Sequence, residues 1–273
     1  MAENGQPRSE VRRLLDDAGH RPNKNRGQNF LTDPNIVDKI VEVANVDDSA
    51  VIEIGAGTGA LTAALAKAAR RVIAYEIDEG LRPILDHAFD ESSNVELRYA
   101  DAASLDFGRI LDTEPWTMVS NLPYNVGTGI ILDALRTAPM IVRFVVMVQR
   151  EVGDRLLAQP GSRTYGLPSV VVGLHATGRQ ALTVPAHVFE PAPRVESSVV
   201  VLERTNASEW SEGAIAVAMA AFNQRRKMLR KSLATMFVDP VATLEASGID
   251  PTLRPEQLSP LDYVAIAKVG GVA

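Results

Sequence analysis

The stretch Val51–Thr62, VIEIGAGTGALT, decides the fold. Its apolar first third, Val51–Ile54, reads as a strand. Gly55, Gly57 and Gly59 form a tight turn, and the Ala/Leu-rich run from Ala60 to Arg70 is a helix. Glycines there let the backbone reverse sharply and let a ligand approach with no Cβ in the way. The next strand, Arg71–Tyr75, is followed by Glu76, where a carboxylate can accept both hydroxyls of a ribose. With Ala60 the segment also satisfies the looser dinucleotide fingerprint, so a dinucleotide and S-adenosylmethionine both stay open at this point.

Outward from this unit, short apolar runs alternate with helical patterns. Asp33 and Pro34 start a helix whose apolar face is Ile36, Val37, Ile40 and Val41. Leu81–His87, Gly129–Arg136 and Glu151–Ala158 read as helices; Val95–Tyr99, Thr117–Ser120 and Val142–Val148 read as strands. Such alternation implies parallel strands with crossover helices, a doubly wound α/β sheet. Two further β-rich runs, Ser169–Leu174 and Ser197–Leu202, are expected to form an antiparallel hairpin at the sheet edge. After the polar break Glu203–Trp210 the chain turns Ala-rich, with punctuation at Pro240, Gly248, Pro251, Pro255 and Pro260. The expected organisation is a flexible basic arm over 1–26, a catalytic domain over 27–206 and a small all-α domain over 207–273.

At 273 residues and roughly 150 per domain, one large or two unequal domains are expected. A hydrophobic content of 46% supports a substantial core and excludes global disorder. With no cysteine, disulfides, thiolate zinc sites, iron–sulfur clusters and cysteine nucleophiles are all excluded. His20, His87, His175 and His187 have no metal-ligand spacing, so no metal is expected. The first 30 residues lack the apolar stretch of an export signal, and a cytoplasmic protein is expected. The formal charge of −6 argues mildly against a nucleic-acid partner, but it is polarised. Gly213–Val238 holds Arg225, Arg226, Lys227, Arg230 and Lys231 without an acid, and Arg21–Thr32 holds Arg21, Lys24 and Arg26 likewise.

Two later motifs separate the cofactor readings. Asp101 follows the third parallel strand, at the edge where a carboxylate accepts from an adenine amine; an N-cap or surface role is the plain alternative. Ser120–Tyr124, SNLPY, follows the fourth. An adenine N6 lone pair is conjugated into the ring and is a weak nucleophile. Neutral acceptors aimed at it, the Asn121 side-chain carbonyl and the Leu122 backbone carbonyl, can hold it and stabilise growing positive charge. Pro123 stiffens the turn and Tyr124 offers a face for the base. No strong general base is required, because placement itself supplies most of the rate.

These residues carry a resemblance over almost the whole chain. Gly27–Leu31 (GQNFL), Glu53–Gly59 (EIGAGTG), Glu76–Asp78, Asp101–Ala102, Asn121–Tyr124, Phe189–Ser197 (FEPAPRVES) and Phe222–Arg230 (FNQRRKMLR) occur in order. The chain resembles the ribosomal RNA adenine dimethyltransferase family, most closely its bacterial small-subunit (16S) branch. The resemblance implies a class I, Rossmann-like methyltransferase sheet. It also implies S-adenosylmethionine as donor, S-adenosylhomocysteine as product, and no metal. Gln28, Asn29 and Leu31 would cover the methionine end, Gly55 would meet the donor through its backbone within the Gly55–Gly57–Gly59 loop, Glu76 would hold the ribose and Asp101 the adenine. Asn121 would lie between donor and target amine, and Phe189 would stack on the target base opposite Tyr124.

On the RNA side, the Phe189 loop is stiffened by two prolines. Arg225, Arg226, Lys227, Arg230 and Lys231 have near-helical spacing, with Met228, Leu229 and Leu233 for packing, and are expected to meet phosphates. Arg150 is a further candidate, with an Arg–Glu network as its alternative. The expected function is dimethylation of two adjacent adenosines near the 3′ end of 16S rRNA in the immature 30S subunit, consuming four donors. The enzyme is expected to act as a monomer. The competing readings are a large-subunit methyltransferase of the macrolide-resistance type, an assembly factor that acts chiefly by binding, and a nicotinamide oxidoreductase.

Overall fold

The computed structural model describes residues 6–23 and 27–273. In chain order the elements are α1 (Arg8–Asp17), β1 (Phe30–Leu31), α2 (Pro34–Ala44), β2 (Ala50–Ile54), α3 (Ala60–Ala68), β3 (Arg71–Glu76), α4 (Arg82–Phe89), β4 (Val95–Tyr99), α5 (Phe107–Ile110), β5 (Trp116–Asn121), α6 (Gly127–Thr137) and β6 (Ile141–Gln149). There follow α7 (Arg150–Leu156), α8 (Leu167–His175), β7 (Ala176–Val184), β8 (Phe189–Glu190), β9 (Ser197–Arg204), α9 (Ser211–Phe222), α10 (Leu229–Ser232), α11 (Pro240–Ala246) and α12 (Pro260–Gly270).

Seven strands form one sheet in the order β4-β3-β2-β5-β6-β9-β7. The pairs β2/β3, β3/β4, β2/β5 and β5/β6 are parallel, and β6/β9 is antiparallel. The chain walks outward from β2 through β3 to β4, then returns to the other side of β2 for β5 and β6. The order reverses between β2 and β5, and a crevice opens at the carboxyl ends of strands at such a switch point. Every residue of β2 is buried, as a central parallel strand with two covered faces requires. Asp33 begins α2 by accepting from Asn35 N (2.9 Å), with Pro34 in the first turn.

Three expectations change. The edge hairpin uses Ala176–Val184 and Ser197–Arg204, not Ser169–Leu174, which lies inside α8. Pro168 occupies the first turn there, and Ser169 Oγ accepts from Gly166 N (3.1 Å) and donates to Arg155 O (2.6 Å). Val170, Val171, Val172 and Leu174 are buried, and that burial outweighs the few tenths of a kcal/mol that β-branched residues cost a helix. The expected flexible arm holds a helix, α1, whose Val11 and Leu15 sit in the core one turn apart, with Arg8 and Arg12 paired to Glu190. Arg21 is exposed, whereas Lys24 and Arg26 lie outside the described residues.

The chain divides into two compact units: residues 1–153 with 179–203, and 154–178 with 204–273. The first carries the sheet. The second is helical and includes α8 together with the C-terminal helices, so it is not the contiguous 207–273 expected. Its core brings Phe222 to ring-centroid distances of 6.2 Å from Tyr165 and 6.3 Å from Tyr263. Ser259 and Asp262 cap α12 reciprocally. Among the described residues no helix is long and apolar enough to cross a membrane.

Candidate active site

At the carboxyl ends of β2, β3 and β5 the sheet unit holds a cavity of about 280 Å³. That is room for roughly twenty water-sized spheres, the scale of a nucleoside bearing a side chain. Of the residues expected to bind cofactor or substrate, Gln28, Asn29, Leu31, Gly55, Gly57, Glu76, Asp101, Asn121, Leu122, Pro123 and Tyr124 line it. Gly59 and Phe189 do not.

Gly59 serves the fold. Its φ is +84°, and a Cβ there would lie 2.9 Å from the Phe89 ring, so the glycine lets α3 start close against α4. Gly57, at φ +60°, shapes the cavity wall, and its N–H donates to Glu76 Oε2 (2.9 Å). Glu76 Oε1 accepts from Asp78 N (2.8 Å). A buried carboxylate thus occupies an amide that a pyrophosphate would need at this loop, which weighs against a dinucleotide. Burial raises the Glu76 pKa, opposed by the hydrogen bonds from Asp78 and Gly57.

Glu53 lies in the fold-deciding stretch, yet sequence reasoning assigned it no role. It is 1% exposed, lines the cavity, and accepts from Thr62 Oγ1 at 2.6 Å. Burial, with the Glu76 charge nearby, pushes its pKa up to about 8 despite the Thr62 hydrogen bond. An acid in the middle of an otherwise apolar strand is the sequence signal that marks it. With Asp101, the cavity is lined by three carboxyl groups, and by no lysine, arginine or histidine among the described residues. Burial keeps Glu53 mostly protonated at neutral pH, so it adds a polar but largely neutral wall. With no cation in the lining, the carboxyl groups of Glu76 and Asp101 suit a ligand carrying positive charge, such as a sulfonium, better than an anionic one.

Asp101 takes the N-cap role weighed as its alternative and also lines the cavity. Its Oδ1 caps the short turn Ala102–Ser104 through Ala103 N (2.9 Å), and a carboxylate keeps a second oxygen for a ligand. The Gln28 amide is committed at both ends, donating to Asp78 Oδ2 (2.7 Å) and accepting from Asn23 N (2.7 Å). The Asn29 side chain donates to Gly27 O, and the Asn29 backbone carbonyl accepts from Asn121 Nδ2 (3.2 Å). That bond identifies the amide nitrogen of Asn121 and makes Oδ1 its remaining acceptor.

The Asn121–Tyr124 loop is held from below. Leu122 N donates to Met147 O (3.1 Å), and Pro123 O accepts from Gly127 N (2.9 Å) at the start of α6. Ser120 Oγ accepts from Ile54 N (2.9 Å) just past the last β2/β5 pair, Ile52 with Met118. The Tyr124 hydroxyl meets Ser197 Oγ at 2.7 Å, and burial raises the phenol pKa. Both serines stand in motifs read from the sequence, but neither was given a role there. Nor was Gln6, which clamps the glycine loop through Thr58 O (2.9 Å) and Thr58 Oγ1 (2.5 Å).

Phe189 is the clear correction. It is 0% exposed, pairs with Leu31 across β1/β8 and belongs to the core, so its ring is not presented to a base. Arg8 binds its carbonyl (3.1 Å) and that of His187. In the helical unit, α9 ends at Phe222, and Arg225–Lys227 lie in a turn before α10, so the cations do not share one helix face. Arg226, Lys227, Arg230 and Lys231 are exposed. Arg225 instead donates to Glu256 (3.1 Å) and to Arg163 O (2.8 Å). Leu229 and Leu233 are buried as expected, whereas Met228 is exposed. Arg150 pairs with Glu196 (2.8 Å). Among the described residues no three His, Cys, Asp or Glu side chains converge as metal ligands do.

Residues 19–270 match the model of the family described as "Ribosomal RNA adenine dimethylase". A Kineococcus radiotolerans protein named "Ribosomal RNA small subunit methyltransferase A" is 42% identical over 269 residues, 94% of this chain and 89% of its own. A Staphylococcus epidermidis protein of the same name is 38% identical over 275 residues, 94% of this chain and 93% of its own. Among solved structures, a Plasmodium falciparum dimethyladenosine transferase superposes with a TM-score of 0.75 at 23% identity, covering 87% of this chain and 95% of that one. The 23S rRNA methyltransferase ErmE superposes at 0.67, also at 23% identity, covering 89% and 100%. The sheet is therefore that of the rRNA methyltransferases, and the chain belongs to the ribosomal RNA adenine dimethylase family.

Proposed function

We propose that this protein dimethylates the N6 amines of two adjacent adenosines near the 3′ end of small-subunit rRNA, drawing methyl groups from S-adenosylmethionine and releasing S-adenosylhomocysteine. The reading rests on the Asn121–Tyr124 loop. Its one uncommitted amide oxygen lines the cavity beside a stacking ring and three carboxyl groups. The names of relatives 38–42% identical favour the small subunit over the large one.

When bound, the donor supplies an electrophilic methyl on a positively charged sulfur. The chain supplies the rest. Glu76 accepts from the ribose hydroxyls with lone pairs left over from Gly57 N and Asp78 N, and Asp101 accepts from the cofactor's adenine amine. In the first transfer Asn121 Oδ1 and the Leu122 carbonyl accept the two N6 hydrogens of the target, and in the second one of them accepts the single hydrogen left. They hold its lone pair toward the methyl and stabilise the positive charge that grows on nitrogen. A nitrogen–carbon bond forms as a sulfur–carbon bond breaks, and the N6 proton then leaves to water. Tyr124 stacks on the extracted base, worth about 1–3 kcal/mol against the unstacking cost. Arg226, Lys227, Arg230 and Lys231 meet phosphates, Arg225 and Arg150 being paired within the protein. The protein works in the cytoplasm, as a monomer, on the immature 30S particle.

The test is transfer of tritiated methyl groups to under-methylated 30S particles, followed by mass spectrometry of the rRNA. Two dimethyladenosines near the 3′ end are expected. Label appearing only on large-subunit RNA, or none at all, overturns the reading.

A further inference from the structure

The segment Phe189–Ser197 was expected to bring an aromatic ring to the target base, yet Phe189 is in the core. The segment's other end reaches the site. Ser197, the first residue of β9, is 0% exposed, and its Oγ lies 2.7 Å from the hydroxyl of Tyr124, a residue of the cavity wall. The two are referenced to the same strand. Ser197 pairs in register with Gln149 of β6, and Leu122 N, two residues before Tyr124, donates to Met147 O of β6. At the Tyr124 backbone, Gly27 makes a close approach: a Cβ there would sit 3.1 Å from Tyr124 N. The tyrosine is thus held at its backbone by the turn into α6 and at its phenol oxygen by β9.

We propose that Ser197 is a positioning residue for base capture. Its hydrogen bond fixes the plane of the Tyr124 ring, so that a base stacked on it presents its amine to Asn121 Oδ1. A phenyl ring anchored only at Cβ can rotate about two side-chain torsions. A ring pinned at both ends cannot, and the base it stacks inherits that orientation. The phenol stays protonated, since burial raises its pKa, and one hydroxyl of the pair donates while the other accepts. The inference rests on the methyl-transfer reading above and adds to it the residue that orients the stacking ring.

The experiment uses the full chain and under-methylated 30S particles, with steady-state methyl transfer and calorimetric S-adenosylmethionine binding. The variants are Ser197→Ala, Tyr124→Phe, their combination and Ser198→Ala. Ser198 is buried on the same strand, and its hydroxyl has no hydrogen-bond partner among the described residues. Ser197→Ala and Tyr124→Phe are each expected to lower kcat/KM for the particle about three- to tenfold, the worth of one buried neutral hydrogen bond. Cofactor affinity should be unchanged and the double variant no worse than either single one. Ser198→Ala should match the wild type. If Ser197→Ala fails to fold, Tyr124→Phe breaks the same bond with the serine in place. Wild-type kinetics in both single variants, additive losses, or an equal loss in Ser198→Ala would overturn the positioning role. A wild-type protein that transfers no methyl group to rRNA overturns the functional reading instead, which is a separate outcome.

Discussion

Replacing Glu53 with glutamine perturbs the most deeply buried acid of the site while leaving its shape. Glutamine is isosteric, and its Oε1 can still accept from Thr62 Oγ1, the side-chain partner of Glu53. The wild-type carboxyl has its pKa raised in the folded state from 4.5 to about 8, chiefly by burial. An acid raised on folding is held neutral in the native state and ionises more readily when unfolded. Its contribution is therefore fully present below pH 4.5 and is lost as pH rises to about 8. The loss runs at up to about 1.4 kcal/mol per pH unit, an upper bound near ~5 kcal/mol across the window. Glu76, also raised by burial, adds the same sign in both proteins, and the difference between them reads Glu53 together with its coupling to Glu76. Equilibrium urea unfolding reports it, read at the buried Trp116 of the sheet unit in a Trp210→Phe background. Near pH 5 the two proteins should unfold alike. By about pH 8.5 Glu53→Gln should be more stable by on the order of 3–5 kcal/mol. Parallel stability curves over that range would show that Glu53 is ionised in the native fold, and the reading of it as an acid kept neutral by burial would fail.

Three other outcomes follow from the same geometry. Asn121→Ala should cut turnover about a hundredfold, as loss of one preorganised polar group does, and change cofactor affinity only a few-fold; weakened cofactor binding at an unchanged rate would refute its role. Gly59→Ala forces a Cβ to within 2.9 Å of Phe89 at φ +84° and should destabilise the sheet unit by about 1–3 kcal/mol, whereas Gly129→Ala, in open space on α6, should be neutral or stabilising by up to about 1 kcal/mol, both read by thermal unfolding. Neutralising Arg226, Lys227, Arg230 and Lys231 together should flatten the salt dependence of RNA binding, by about 0.7–0.9 in logarithmic slope for each phosphate no longer neutralised. Arg225→Ala, which breaks the Glu256 pair, should chiefly lower thermal stability; a reversed pattern would exchange their roles.

The glycine loop, the acid after the next strand and the Asn-Leu-Pro-Tyr turn were legible in one dimension because their chemistry is local. A strand, three glycines and a helix start lie within the single stretch Val51–Thr62, and a carboxylate at a strand's carboxyl end is directed into the crevice there. Their convergence on one cavity followed once parallel order was inferred, since parallel strands bring all their carboxyl ends to the same edge. What tertiary structure decided are choices in which a neighbour outweighs local preference. Ser169–Leu174 has strand-like residues but is helical because Val170, Val171, Val172 and Leu174 all find burial in that form. Arg8–Asp17 is polar in composition but folds on two buried side chains. Phe189 could as well have faced a base as the core, and its pairing with the distant Leu31 settles the matter. Partnerships such as Ser197 with Tyr124 and Gln6 with Thr58 leave no periodic trace, because a hydroxyl or amide in one segment says nothing about which distant segment will meet it. The chain alone therefore determined the chemistry to be housed, while packing determined which side chains hold that chemistry in place.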